Sequence, residues 1–161
     1  MPNTSIIARI ADSERIKRNV KRENGKGERY ERRTETWFTT ERGYLVLRES
    51  DMRHEFAAIV NGKEHSVRHK PDNPRALKEV LLAGCGVPLI VEMRRETWHL
   101  AGIDAHFDDV EGLGSFVELE AINQDGTESE EELSKRCHAM LHLLGIPESD
   151  LIDGRYADLL R

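Results

Sequence analysis

The 161-residue sequence has few cysteines and no long apolar run, and both shortages exclude classes of protein. Its two cysteines, Cys85 and Cys137, form no CxxC pair, which excludes a disulfide-rich scaffold and favours reduced thiols. No apolar stretch reaches the roughly 18 residues that a membrane-spanning helix needs, and no signal peptide is recognisable. We therefore expect a cytoplasmic protein without a membrane partner.

Positive charge is also in short supply. Lys and Arg total 24 against 30 Asp and Glu, so the formal net charge is −6. Because a general nucleic-acid binder needs a basic face, we do not expect nucleic acid as a partner. Hydrophobic residues make up 38% of the chain, which is enough for a folded core, and the length suits one domain over residues 1–161.

Turn signals and periodicity predict about eight strands, in antiparallel hairpins, with helices between them. Asn61-Gly62 is a strong hairpin signal, and Glu41-Arg42-Gly43 and Ala101-Gly102 mark further turns. The order favours an α+β fold, an antiparallel barrel with helices packed outside. The predicted strands cover residues 3–10, 31–39, 44–50, 55–60, 64–69, 88–98, 103–110 and 118–122, and the predicted helices cover residues 13–23, 74–83, 129–144 and 148–161.

The stretch from Phe107 to Ile122 is the most informative part of the chain. After the turn at 111–114, alternation places Phe116, Glu118 and Glu120 on one strand face, whereas Val117, Leu119 and Ala121 occupy the other. By pattern alone, the acids favour a solvated face. In a closed barrel, the same acids would line a hydrophilic bore.

Three segments carry a resemblance to a known family: DDVEGLGSFVELEAI from Asp108, TETWFTTERGYLVLRES from Thr34 and LGIPESDLIDGRYADLL from Leu144. Together they resemble the CYTH superfamily of triphosphate tunnel enzymes, and most of all its class IV adenylate cyclases. The resemblance implies an eight-stranded closed antiparallel tunnel over nearly the whole chain. It also implies a triphosphate site with magnesium, which is held by the acids of an ExExK signature on the first strand.

This sequence departs from the family pattern at the residues that would bind triphosphate. Asn3 and Ser5 replace the two signature acids, and apolar residues replace three lysines: Ile7, Val46 and Met93. The basic positions Arg9, Arg48 and Arg95 are kept, and Glu35 replaces a common Asp. The late acids are also kept, namely Asp108, Glu118 and Glu120, with His106 on the face of Asp108.

These replacements predict a mixed bore that suits a small, partly apolar organic ligand and acid–base chemistry of the cyclisation or isomerisation type. The predicted catalytic residues are Glu118, Glu120, Asp108 and His106. The predicted ligand-binding residues are Arg9, Arg48, Arg95, Glu35, Trp37, Ile7, Val46 and Met93. Because Glu118 and Glu120 should repel each other, we expect the pKa of one of them to be raised.

We expect no required cofactor. Magnesium should bind weakly at most, and then through Glu118, Glu120 and Asp108. Two alternatives stay open: a cyclase or triphosphatase with a reduced metal set, and a non-catalytic binding module. A homodimer is also left open, and the three arginines could serve only to neutralise the acids. His138 and His142 have the spacing of half a zinc site, but without a further ligand in the sequence they indicate a helix surface.

Overall fold

The structure, a computed structural model, describes residues 3–161 except for the side chain of residue 28. These residues form the predicted α+β fold, with eight strands, four α-helices and one 3₁₀ turn. In chain order the elements are β1 Thr4–Arg9, α1 Ser13–Arg22, β2 Lys26–Thr40, β3 Gly43–Ser50, β4 His54–Val60, β5 Lys63–Arg68, α2 Pro74–Cys85, β6 Leu89–Leu100, β7 Ile103–Val110, β8 Gly114–Ala121, α3 Glu130–Leu143, the 3₁₀ turn Glu148–Asp150 and α4 Tyr156–Leu159. None of these helices has the length and apolar character to cross a bilayer.

The eight strands follow the order β1-β8-β7-β6-β2-β3-β4-β5 in the sheet. Antiparallel pairing joins β1 to β8, β7 to β8, and β2, β3, β4 and β5 in succession. The closed barrel that we predicted stays a prediction. The chain divides into two compact units: unit 1 comprises Arg94–Arg155 and the described residues up to Tyr30, and unit 2 comprises Glu31–Met93 and Tyr156–Arg161. The single domain over residues 1–161 also stays a prediction.

The core of unit 1 lies between helices and one face of its strands. Val117, Leu119 and Ala121 of β8 are fully buried there, as their alternation predicted. Helix α1 contributes Ile16 and Val20, which are four residues apart and therefore share one helix face. Helix α3 contributes Leu133, Cys137, Met140 and Leu141. Because the helices cover this face of β8, its two glutamates lie on the opposite face.

Side-chain caps mark the starts of three helices. The Asp12 side chain accepts from the Arg15 amide, and the Asn73 side chain accepts from the Ala76 amide. Ser129 and Glu132 form a reciprocal capping box at the start of α3. Each cap satisfies a backbone donor that has no partner within its own helix, so these residues fix where the helices begin.

Unit 2 is built on the meander β2-β3-β4-β5. Its turns are short, and Asn61 and Gly62 adopt φ values of 52° and 73°, as expected of a two-residue hairpin turn. Buried side chains of this unit include Trp37, Phe38, Val46, Leu47, Ala57 and Ile59. Trp37 also makes an edge-to-face contact with Tyr44, at 5.6 Å between ring centroids.

Several boundaries differ from the prediction, and β8 begins at Gly114, four residues before its predicted start. Strand β2 begins at Lys26 and not at residue 31 as predicted, and α2 continues through Gly84 to Cys85, beyond its predicted end at residue 83. The predicted helix over residues 148–161 is wrong: only the 3₁₀ turn and the four-residue α4 form. Between them the chain is extended, because Leu151 bridges to Ala8 and the Ile152 amide donates to the Ile7 carbonyl.

Candidate functional site

One face of the unit 1 strands, here called the polar face, collects titratable side chains into rows across neighbouring strands. Strand pairing aligns Ser5 with Glu120 and Glu120 with Asp104. The second row lies two residues closer to the start of β8 and contains Ile7, Glu118 and His106. The third row contains Arg9, Phe116 and Asp108. The structure thus brings together the predicted residues Glu118, Glu120, Asp108 and His106.

Arg95 neutralises two of the acids of the polar face. Its guanidinium donates to both oxygens of Asp108 at 2.8 Å and to Glu118 Oε2 at 2.9 Å. The Asp108 side chain is completely buried, so this forked arrangement supplies the charge partner that a buried carboxylate needs. Asp108 and Glu118 are therefore the carboxylate partners of Arg95.

His106 and Glu120 form a second polar cluster. His106 Nε2 lies 3.0 Å from Glu120 Oε1, and Nδ1 lies 2.9 Å from Thr97 Oγ1. Glu120 accepts a further hydrogen bond from the Asn3 amide at 3.1 Å. Because an ionised carboxylate can only accept, His106 Nε2 is the donor in its hydrogen bond to Glu120. His106 is 3% exposed and Glu120 is 30% exposed, so Glu120 is the member that a substrate can reach.

The pKa of Glu120 is lowered rather than raised. Burial alone would raise it, and so would the neighbouring Glu118 charge. The hydrogen bonds from His106 and Asn3, together with the attraction of His106, outweigh both effects. Glu120 is thus not the member of the Glu118–Glu120 pair whose pKa we expected to rise. At neutral pH it is a carboxylate, which can accept a proton but cannot donate one.

Magnesium does not fit the donors at this face. Asn3 donates to Glu120 and accepts from the Asn123 amide, and Glu118 is bound by Arg95. Asp104, His106 and Glu120 do offer three ligand atoms that all lie within 4.8 Å of one another. Because one of them is an imidazole nitrogen, this donor set suits a transition metal such as Zn²⁺, whereas Mg²⁺ prefers oxygen donors.

In unit 2 the basic residue Arg48 is surrounded by acids. It donates to Glu35 at 3.2 Å and to Glu55 at 2.7 Å, and it also pairs with Glu64. These carboxylates raise its pKa although burial opposes the charge. Glu35 additionally accepts from Trp37 Nε1 and pairs with Arg33. Arg48 is thus matched by protein carboxylates in the folded chain.

The remaining predicted ligand-binding residues differ in how exposed they are to solvent. Val46, Met93 and Trp37 are buried in unit 2 and at most 4% exposed. Ile7 is half-buried on the polar face opposite Glu118, and Arg9 is exposed, with its guanidinium 5.1 Å from the centre of the Phe116 ring. Ile7 and Arg9 are therefore the predicted ligand-binding residues that the polar face presents to solvent.

A separate apolar cavity of about 340 Å³ lies in unit 2, beside α2 and strands β3 to β5. Its lining includes Leu47, Phe56, Val67 and Leu77. None of the described residues of the polar face lines it. We base the function on the polar face, because proton chemistry needs titratable groups at hydrogen-bond distance from one another.

Several residues of these clusters were missed in the sequence. Alternation along β7 could have found Asp104, which shares a face with His106 and Asp108. It lies 2.7 Å from His99. Thr97 and His99 alternate with Arg95 on β6 in the same way. Glu55 and Glu64 had no such signal, because their contact with Arg48 depends on the register of three strands.

Comparison with known proteins places the chain in a family. A model of the CYTH domain matches residues 9–156. The chain belongs to the CYTH family. This match confirms the resemblance seen in the sequence. No curated protein matches the chain.

Solved structures of other CYTH-like proteins share the fold. The PH1012 protein from Pyrococcus horikoshii is 20% identical, with a TM-score of 0.82 over 98% of this chain and 99% of its own. A Vibrio parahaemolyticus protein assigned provisionally as an adenylate cyclase is 14% identical, with a TM-score of 0.77 over 98% and 97%. HpAC1 from Hippeastrum, described by a dominant triphosphatase activity, is 16% identical, with a TM-score of 0.52 over 91% and 89%. At these identities the likeness establishes the fold alone.

Proposed function

We propose that this CYTH protein is an enzyme that moves a proton on a small, partly apolar organic molecule, in a reaction of the isomerisation or cyclisation type. The observation that carries the proposal is the Thr97–His106–Glu120 chain of hydrogen bonds, which ends in a partly exposed carboxylate. The proposal retains the closed barrel predicted from the sequence, in which the polar face would line a bore. It also retains the cytoplasmic location expected of the chain.

Glu120 is the proton acceptor in this proposal. Its carboxylate is ionised at neutral pH, and His106 and Asn3 hold it in position. Glu120 takes a proton from one substrate atom and returns it to another, which isomerises the substrate. Atoms and charges balance in this reaction without a second reactant. His106 acts as a positioning residue, because both of its ring nitrogens are engaged by Glu120 and Thr97.

The charge of the polar face favours a neutral or cationic substrate. Among the described residues, four carboxylates, those of Asp104, Asp108, Glu118 and Glu120, share this face with two guanidinium groups, those of Arg9 and Arg95. A triphosphate would meet this excess of negative charge without the lysines and acids that the family uses for phosphate and magnesium. The polar face therefore supports organic acid–base chemistry better than cyclic-AMP synthesis or triphosphate hydrolysis.

Exchange with heavy water tests the proposal across many candidate substrates at once. The protein is incubated in D₂O with a panel of neutral, cationic and anionic metabolites, and mass spectrometry follows deuterium incorporation and isomer formation. We expect a neutral or cationic compound to react, and Glu120→Gln to slow it by about 10² to 10⁴, as is typical for loss of a general base. The exposed Glu111 is a matched control, and Glu111→Gln should leave the rate unchanged.

The competing functions give different results in the same assay. If ATP or tripolyphosphate is consumed with Mg²⁺ or Mn²⁺ at an enzymatic rate that Glu120→Gln abolishes, the chain is a cyclase or triphosphatase and the proposal is wrong. If compounds bind without exchange or turnover, the chain is a binding module. Either result rejects the proton-transfer function.

A further inference from the structure

A second group of titratable side chains lies on the outside of unit 1, on helix α3. His138 and His142 are four residues apart and therefore share one face of the helix. They lie on the side away from Leu133, Cys137 and Leu141, which α3 buries in the core. The spacing in sequence supplied only these two nitrogen donors.

The folded chain adds a third donor from beyond the helix. After α3 the chain reverses at Gly145, and the Ile146 amide donates to the Leu141 carbonyl at 3.0 Å. Leu144 and Ile146 are both buried, so the core anchors this turn. Glu148 follows at the start of the 3₁₀ turn, where its Oε1 lies 2.8 Å from His138 Nδ1 and 3.0 Å from His142 Nε2.

We propose that His138, His142 and Glu148 form a binding site for a divalent transition-metal ion of the zinc type. Two imidazole nitrogens and one carboxylate oxygen are ligands that Zn²⁺ takes in proteins, and they leave a fourth position for water. Nitrogen donors also favour Zn²⁺, Cu²⁺ or Ni²⁺ over Mg²⁺ and Ca²⁺.

The three side chains meet at one point, the Oε1 atom of Glu148. Tetrahedral ligands about 2.0 to 2.2 Å from Zn²⁺ stand about 3.3 Å from one another. The oxygen of Glu148 lies 2.8 Å from His138 Nδ1 and 3.0 Å from His142 Nε2, so both imidazoles already meet at one oxygen, and the side chains must turn to bring the two nitrogens to this spacing around an ion. The side chains are 37%, 63% and 46% exposed in the order His138, His142, Glu148, which gives both room for this adjustment and access for an ion.

Metal binding here would join the last turn of α3 to the segment that follows it. The site is separate from the Asp104–His106–Glu120 cluster, because α3 packs against the strand face opposite the polar face. It therefore does not depend on the proposed proton transfer.

Calorimetric titration of the untagged chain with ZnCl₂, alongside thermal melting, tests the site. We expect Zn²⁺ to bind and to raise the melting temperature, and MgCl₂ to do neither. His142→Asn and Glu148→Gln should each weaken Zn²⁺ binding at this site by about tenfold or more, as expected when a ligand is lost. Melting in EDTA establishes that both variants fold.

Two further variants separate this site from other histidines. His106→Gln removes the internal cluster and should leave one zinc-binding event intact. His69→Asn alters an exposed histidine of unit 2 and should change nothing. The proposal is wrong if the chain does not bind Zn²⁺, or if His142→Asn and Glu148→Gln bind it as the wild type does. In either case the three side chains form a hydrogen-bonded cluster and no metal site. The proposal is also wrong if His106→Gln is the one variant that loses Zn²⁺ binding.

Discussion

At the residue scale, the arginines determine what the polar face can bind. The sequence retains three basic positions of the family, and by themselves they suggest an anion site. In the structure, Arg95 is bound by Asp108 and Glu118, and Arg48 by three glutamates. Of the two alternatives that the sequence left open for Arg48 and Arg95, ligand binding or neutralisation of acids, the contacts favour neutralisation.

Loss of Arg95 should therefore destabilise the fold. Arg95→Leu would leave the fully buried Asp108 carboxylate without its forked partner, and breaking a buried ion pair costs about 3 to 5 kcal/mol. Urea unfolding measures this change. Arg9→Leu is the control, because Arg9 is exposed and should cost less than about 1 kcal/mol. Equal losses for the two variants would contradict the structural role of Arg95.

The lowered pKa of Glu120 gives a pH-dependent contribution to stability. Its folded-state pKa lies below the ordinary value of 4.5, so the contribution is complete above that value and is lost as the pH falls through the folded-state pKa. We expect the difference in unfolding free energy between the wild type and Glu120→Gln to be constant from pH 7 to about 5 and to shrink below about 4.5. A difference that grows on acidification would show that the pKa is raised.

At the element scale, local chemistry predicted most of the fold. Alternation identified both faces of β8, Asn61-Gly62 located a hairpin, and the predicted starts of α2 and α3 agree with the structure to within one residue. The last segment was mispredicted because Leu151 pairs with Ala8, far away in the sequence. Propensity reports local preference, and it cannot report a partner more than a hundred residues distant.

The turn between β2 and β3 offers a test of packing at an element boundary. A Cβ on Gly43 would overlap the Ile59 carbonyl oxygen of the neighbouring strand, at a φ of 149°. Gly43→Ala should therefore cost clearly more than the roughly 1 kcal/mol expected for a strained backbone alone. Gly62→Ala is the matched control, since its φ is 73° and no atom lies within 4 Å of the added carbon. Urea unfolding of both variants makes the comparison, and an equal cost would show that β3 and β4 separate freely there.

At the scale of the whole molecule, membership of the CYTH family does not by itself assign the family's chemistry. The fold is shared with structures named for cyclase or triphosphatase activity. The resemblance predicts that Asn3, Ser5 and Ile7 replace residues that the family uses for metal and phosphate. This divergence was predicted residue by residue from the sequence, and it stays a prediction. The sequence could not predict that protein carboxylates bind Arg48 and Arg95, because that depends on how strands from distant segments pair.

Nucleotide binding tests this divergence. We expect ATP with Mg²⁺ to leave the melting temperature unchanged, whereas a ligand at 100 times its Kd would add about 2.7 kcal/mol. Titration with Mg²⁺ or Mn²⁺ alone should also show weak binding at most. A clear shift with ATP and Mg²⁺ that disappears in Glu118→Gln would support a triphosphate site.

The rows of the polar face have an evolutionary consequence. Ala101 and Gly102 form a two-residue turn that sets which residues of β7 face His99 and Thr97 on β6. A one-residue slip of β7 against β6 would exchange the two faces of β7, moving Asp104, His106 and Asp108 toward the helices and Ile103, Ala105 and Phe107 toward solvent. The proposed catalytic residues and the core would be lost together. A lineage can therefore change this site by substitution at alternate positions, whereas any change that shifts the register of β7 is selected against by folding itself, before any loss of activity matters.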